Sequence, residues 1–87
     1  MTNTQARRNA RRCRYMMRFP DHWEIELKQS GDNWEWALRY RGTLLRPVYR
    51  RGYIACHEGE VFTGACELPQ DAVDALMARI TEEKNFR

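Results

Sequence analysis

Cys13, His22, Cys56, His57 and Cys66 are the side chains of this sequence best suited to hold a soft metal or to act as a nucleophile with its base. Zinc sites bring ligands in pairs at short spacing, and no Cys-x-x-Cys occurs here. Three cysteines, an odd number without an apolar leader before them, point to free thiols in a reducing compartment. Cys56 and His57 are adjacent, but neighbours on a strand point to opposite faces, so they form no dyad with each other. The only serine, Ser30, falls in a turn cluster, and Glu24 and Glu26 share an open strand face rather than a cleft. The residue types therefore predict no catalytic set, no metal and no cofactor, and a protein that acts by binding.

Charge is the feature that binding would use, and it comes in blocks. Residues 1–18 hold Arg7, Arg8, Arg11, Arg12, Arg14 and Arg18 with no acid. Residues 19–38 set five acids against Lys28. Residues 39–51 hold Arg39, Arg41, Arg46, Arg50 and Arg51, again with no acid, and residues 52–87 set seven acids against three bases. The net charge is only +3, yet thirteen of the fifteen bases are Arg, whose planar fork suits phosphate and carboxylate. No apolar run approaches the ~18 residues of a membrane span, and the early arginines interrupt any secretory leader, so the expected compartment is the cytoplasm.

The elements that must position these charges can be read from periodicity. Residues 23–29 alternate, with Trp23, Ile25 and Leu27 on one face and Glu24, Glu26 and Lys28 on the other, and 34–41 alternate in the same way. A four-residue loop at Ser30-Gly31-Asp32-Asn33 would set Leu27 opposite Trp36, Ile25 opposite Leu38, Lys28 opposite Glu35 and Glu24 opposite Arg39. Apolar and oppositely charged pairs agree on that one register. Arg41-Gly42 predicts a second hairpin with Leu38 against Leu45 and Trp34 against Tyr49, and Pro47 predicts a bulge or broken ladder. Arg51-Gly52 predicts a third turn with Ile54 opposite Tyr49, and Glu58-Gly59 a fourth that pairs Cys56 with Val61. In this register Cys56 faces the core, and Arg39, Arg41, Arg46 and Arg50 share the outer face with Tyr53, His57 and Phe62.

Pro69-Gln70-Asp71 opens a helix over 69–84, whose stripe Val73, Leu76, Met77 and Ile80 should cover the Trp-rich sheet face. Ala6, Ala10, Cys13 and Met17 are spaced for a thinner stripe, so residues 1–19 read as an Arg-rich helix or as a tail that ends at Pro20. The expected fold is α+β in one domain over 20–87: a four- to five-stranded antiparallel meander with a C-terminal helix on one face and an N-terminal Arg-rich segment. The candidate binding residues are Arg39, Arg41, Arg46, Arg50, Tyr53 and Phe62, an Arg-plus-aromatic set of the kind found in interface hot spots and nucleic-acid platforms.

Two resemblances bear on the partner. Residues 34–80, with Trp34-Glu35-Trp36-Ala37-Leu38-Arg39-Tyr40-Arg41-Gly42, a basic strand and a closing helix, resemble the arm-type DNA-binding domain of tyrosine integrases. That resemblance implies a sheet entering the major groove, with Arg39, Arg41, Arg46 and Arg50 at the matching positions. The whole chain is also similar in kind to small phage and mobile-element proteins that inhibit host defences, anti-CRISPR proteins among them: short, α+β, Arg-rich, charge-segregated and without a catalytic motif. This implies stoichiometric inhibition of a host protein or ribonucleoprotein complex in a bacterial cytoplasm. Unpaired strand edges in so small a sheet also leave a homodimer open.

Overall fold

The computed structural model describes residues 1–61 and 64–85, except the side chains of 60, 61 and 83–85. Helix α1 spans Asn3–Tyr15, a single 3₁₀ turn spans Pro20–His22, and five strands follow: β1 Glu24–Ser30, β2 Asn33–Tyr40, β3 Thr43–Val48, β4 Gly52–His57 and the two-residue β5 Glu60–Val61. Helix α2, Pro69–Asn85, ends the described chain. The strands lie side by side in sequence order, all antiparallel, as the succession of short turns requires.

The first hairpin has the expected register, with Leu27 opposite Trp36, Ile25 opposite Leu38, Lys28 opposite Glu35 and Glu24 opposite Arg39. Its loop is tighter than expected. Ser30 pairs with Asn33, leaving Gly31-Asp32 as a two-residue turn in which Gly31 supplies the positive φ. The second hairpin has the expected register near its turn, with Leu38 opposite Leu45 across Arg41-Gly42, but its ladder ends there, and the expected pairing of Trp34 with Tyr49 does not form. The fourth pairs Cys56 with Val61.

The third hairpin departs from the expectation. Val48 pairs with Gly52 and Arg46 with Ile54, so the loop is Tyr49-Arg50-Arg51, with Arg50 itself in the left-handed region at φ 59°. An odd slip in register moves every side chain of a strand to the other face. Tyr53 and His57 therefore lie on the helix-covered face, and Ile54 and Cys56 on the open one, the reverse of the sequence reading. Cys56 is buried, but it stands outside the main core cluster.

Gly52 holds this register. It sits at φ 104°, and a Cβ there would come within 2.2 Å of the Cys66 carbonyl oxygen. That close approach lets Tyr53 and Cys66 exchange two backbone bonds, Tyr53 N–H to Cys66 O at 2.8 Å and Cys66 N–H to Tyr53 O at 2.9 Å. The chain entering α2 is thereby tied along β4.

Both helices lie on one face of the sheet. The N-terminal Arg-rich segment does form a helix, capped by Thr2: its Oγ1 accepts from Gln5 N–H at 3.2 Å while Gln5 Oε1 accepts from Thr2 N–H at 2.9 Å. It ends at Tyr15, five residues before Pro20. Ala6, Ala10 and Cys13 are buried against β1 and β2 with Trp23, Trp36 and Leu38. The C-terminal helix takes the other half, packing on β4 and β3 through Ala72, Val73 and Leu76. Covering the Trp-rich half of the sheet thus falls to α1, not to α2. Met77, read as part of the α2 stripe, is exposed, and Ala72 takes its place inward. Among the described residues no helix is long and apolar enough to cross a membrane.

Gly52→Ala should lower stability by more than about 2 kcal/mol, through both the clash and the strained φ. Gly31→Ala, at φ 60° with open space around it, should cost nearer ~1 kcal/mol. Urea unfolding midpoints of the two variants check the difference.

Candidate anion-binding groove

The ladder between β2 and β3 stops at Leu38 and Leu45. Tyr40 with Thr43 closes a two-residue turn, so it and Leu38 with Leu45 are the hydrogen-bonded pairs, and Trp36 with Pro47 is the next in that series. Proline has no N–H to give to the Trp36 carbonyl. β3 meanwhile stays in register with β4 through Pro47 opposite Tyr53 and Val48 opposite Gly52. The two hairpins therefore part, and a groove of about 490 Å³ opens between them. The broken ladder that Pro47 predicts is there, and it is wide enough to hold a ligand.

Four aromatic residues line this groove, Trp34 and Trp36 from β2 and Tyr49 and Tyr53 from the other wall, with Pro47 beside them. Trp36 is buried, Trp34 and Tyr53 are half-buried, and Tyr49 is 83% exposed. Arg50 lies over the Tyr49 ring, its guanidinium carbon 5.2 Å from the centroid. Arg12 of α1 and Arg46 of β3 complete the rim with Asn9, Asn33 and Glu35, and Glu35 has Lys28 directly opposite on β1. Cys13 closes the floor; burial pushes its thiol up to about 12, so it is a neutral core group and not a nucleophile. Burial also raises the Tyr53 phenol, with Cys13 adding to the shift and Arg12 opposing it.

The surroundings of the groove are basic. Arg7, Arg8, Arg11 and Arg12 are exposed on α1, in the pairs 7/11 and 8/12 that stack like charge on successive turns. Arg46, Arg50 and Arg51 are exposed on the opposite wall and its turn. Among the described residues, none of these seven has a carboxylate within ion-pair distance. The arginines that do are elsewhere: Arg18 holds Asp74 of α2 at 3.1 Å, and Arg39 donates to both oxygens of Glu26 on the open sheet face.

The six sequence candidates consequently separate. Arg46 and Tyr53 meet in the groove, and Arg50 reaches it through Tyr49. Arg39 is on the open face beside Glu24 and Glu26, and Arg41 is at the β2–β3 turn, 5.3 Å over the Tyr40 ring. Phe62 lies outside the described residues. The sequence reading missed Arg12, Trp34 and Tyr49 as groove residues. Pro47 was the signal for the gap, but which helix would flank it required the fold.

The remaining chemistry-bearing side chains are structurally engaged. His57 Nδ1 is 3.0 Å from the buried Thr43 hydroxyl, and the His22 ring stacks between Phe19 and Tyr40 at 5.1 and 5.0 Å. Among the described residues no group of three or more His, Cys, Asp or Glu converges as a metal site. Compared with protein-family models, with curated proteins and with solved structures, the chain matches none of them.

A raised thiol pKa in the folded state stabilises the fold at pH values below the unfolded thiol's value near 9, and that contribution disappears as pH rises from about 9 to about 12. Unfolding free energy should therefore fall over pH 9–12. Cys13→Ala should flatten that fall, leaving the smaller decline from Tyr53, as urea titrations at several alkaline pH values would show.

Proposed function

We propose that this chain is a non-enzymatic binding protein that acts by stoichiometric docking on a host nucleoprotein complex. Its contact surface is the arginine face of α1 with the adjoining groove, and the target's nucleic acid is the ground it covers. The observation that carries the reading is the set of seven exposed arginines on α1 and on β3 with its turn, free of carboxylate partners among the described residues, of which Arg12 and Arg46 line the groove. Like charges at i and i+4 each cost an isolated helix a few tenths of a kcal/mol, roughly 0.2–0.5. An arginine surface built against that cost suits a polyanion, where each Arg neutralises a phosphate and releases a counterion. The likeness in size, architecture and charge segregation to phage-borne inhibitors of host defence supports inhibition as the consequence of docking, in the cytoplasm of a bacterial host.

A basic sheet that enters a DNA groove, as in integrase arm-type domains, is the less supported reading. Arg39 on that face is held by Glu26, Glu24 lies opposite it, and Glu35 shares the face, where these acids would meet phosphate. Arg46 is the residue that both readings share.

The experiment is affinity capture from bacterial lysate, nuclease-treated and untreated, with the native chain and with Arg8→Glu/Arg12→Glu and Arg46→Glu/Arg50→Glu. All four arginines are exposed, so both variants should fold. Each should lose the captured complex, and raising the salt should weaken capture by the native chain steeply. Capture that is indifferent to both reversals and to salt would overturn the reading.

A further inference from the structure

We propose that the groove between β2 and β3 takes one unpaired nucleotide of a single strand, its base against the aromatic walls and its phosphate between Arg12 and Arg46. This rests on the docking reading above and names what the groove contributes to it. The rings come from both sides, Trp34 from β2 and Tyr49 and Tyr53 from the β3–β4 hairpin, so a flat group entering the gap meets aromatic side chains on either wall. Arg12 and Arg46 also line the gap from separate elements, Arg12 from α1 on the covered face and Arg46 from β3 on the open one, so positive charge meets it from either side of the sheet. A base in a duplex is stacked and paired and cannot enter such a gap, whereas an unpaired one can turn out into it. Continuation of the strand in either direction meets Arg8 and Arg11 on α1 or Arg50 and Arg51 at the turn. That charge favours a phosphodiester strand over an uncharged extended peptide.

The site proposed should also discriminate little between bases. The two rim amides are each held at one end by Met1: Asn33 Oδ1 accepts from the Met1 amino group, and Asn9 Nδ2 donates to Met1 Sδ at 3.6 Å. With these amides anchored to Met1, stacking and charge carry the binding, and both accept any base.

The test is fluorescence anisotropy with labelled homopolymeric DNA single strands of about a dozen nucleotides, a duplex of the same length, and a poly-glutamate peptide as competitor. The native chain should bind the single strand more tightly than the duplex, with quenching of tryptophan emission and little difference between oligo-dT and oligo-dA. Tyr49→Ala should weaken the single strand by roughly tenfold, the loss of one base–aromatic stack, and leave the duplex unchanged; Tyr49→Phe should restore it. Because Tyr49 is exposed, neither change threatens the fold. Equal affinity for duplex and single strand with no effect of Tyr49→Ala would overturn the nucleotide site. If Arg8→Glu/Arg12→Glu still abolished binding to both, the docking surface would stand without it. Poly-glutamate competing as well as the oligonucleotide would show that the groove reads charge alone, and would also overturn it. Failure of the native chain to bind any strand would do the same, with lysate capture deciding the docking reading independently.

Discussion

Ala6 and Ala10 are fully buried, and the distance at which they let α1 lie on the sheet governs the rest of the molecule. With no side chain beyond Cβ at these positions, the helix backbone approaches β1 and β2 closely, and Cys13 and Met17 extend the same narrow stripe. A stripe that thin uses only one side of the helix. The remaining circumference carries the arginines, which a wider apolar face would have displaced. The closeness of the helix also brings Arg12 to the mouth of the gap between the hairpins. The helix owes its stability to this packing, because its own charge pattern works against it.

Having both helices on one face settles where the other chemistry can lie. The covered face holds one contiguous core running from α1 through Trp36, Leu38, Leu45 and Ala55 to α2. The open face divides along the sheet. On β1 and β2 it is charged, with Glu24, Glu26 and Lys28 facing Glu35 and Arg39; on β3 and β4 Leu44, Val48, Ile54 and Cys56 surround Arg46. Charge of both signs on the first half makes it a solvated surface, in contrast with the exposed face of α1, where Arg7, Arg8, Arg11 and Arg12 carry one sign.

The first two hairpins were legible because each has a short turn and because alternation places charge opposite charge and apolar opposite apolar. The third was not. Its sequence offers Gly52 as the obvious turn residue, yet the residue in the left-handed region within the loop is Arg50, and Gly52 serves as the place where Cys66 presses against β4. That contact lies fourteen residues away along the chain and leaves no local trace, so the register slipped and Tyr53, Cys56 and His57 changed faces. For α1, the Ala-Ala-Cys spacing and the Thr2–Gln5 pair signal a helix, but whether it docks depends on a partner surface supplied by residues 23–38. The groove was half legible: Pro47 marks where the ladder breaks, and nothing in its neighbourhood shows that Trp34 and Arg12 will stand across the gap.

The short contact between the two hairpins has a mechanical consequence. The molecule consists of two slabs, α1 on β1–β2 and α2 on β3–β4, and the sheet joins them through only the last residues of β2 and the first of β3. At that same end Arg18 grips Asp74 and Gln70 accepts from the Arg18 backbone, so the slabs are fastened near the joint. A small rotation about such a corner becomes a large displacement where Trp34 faces Tyr49. The spacing of the groove walls is thus tied to the angle at which the two slabs meet at Leu38 and Leu45 in the shared core.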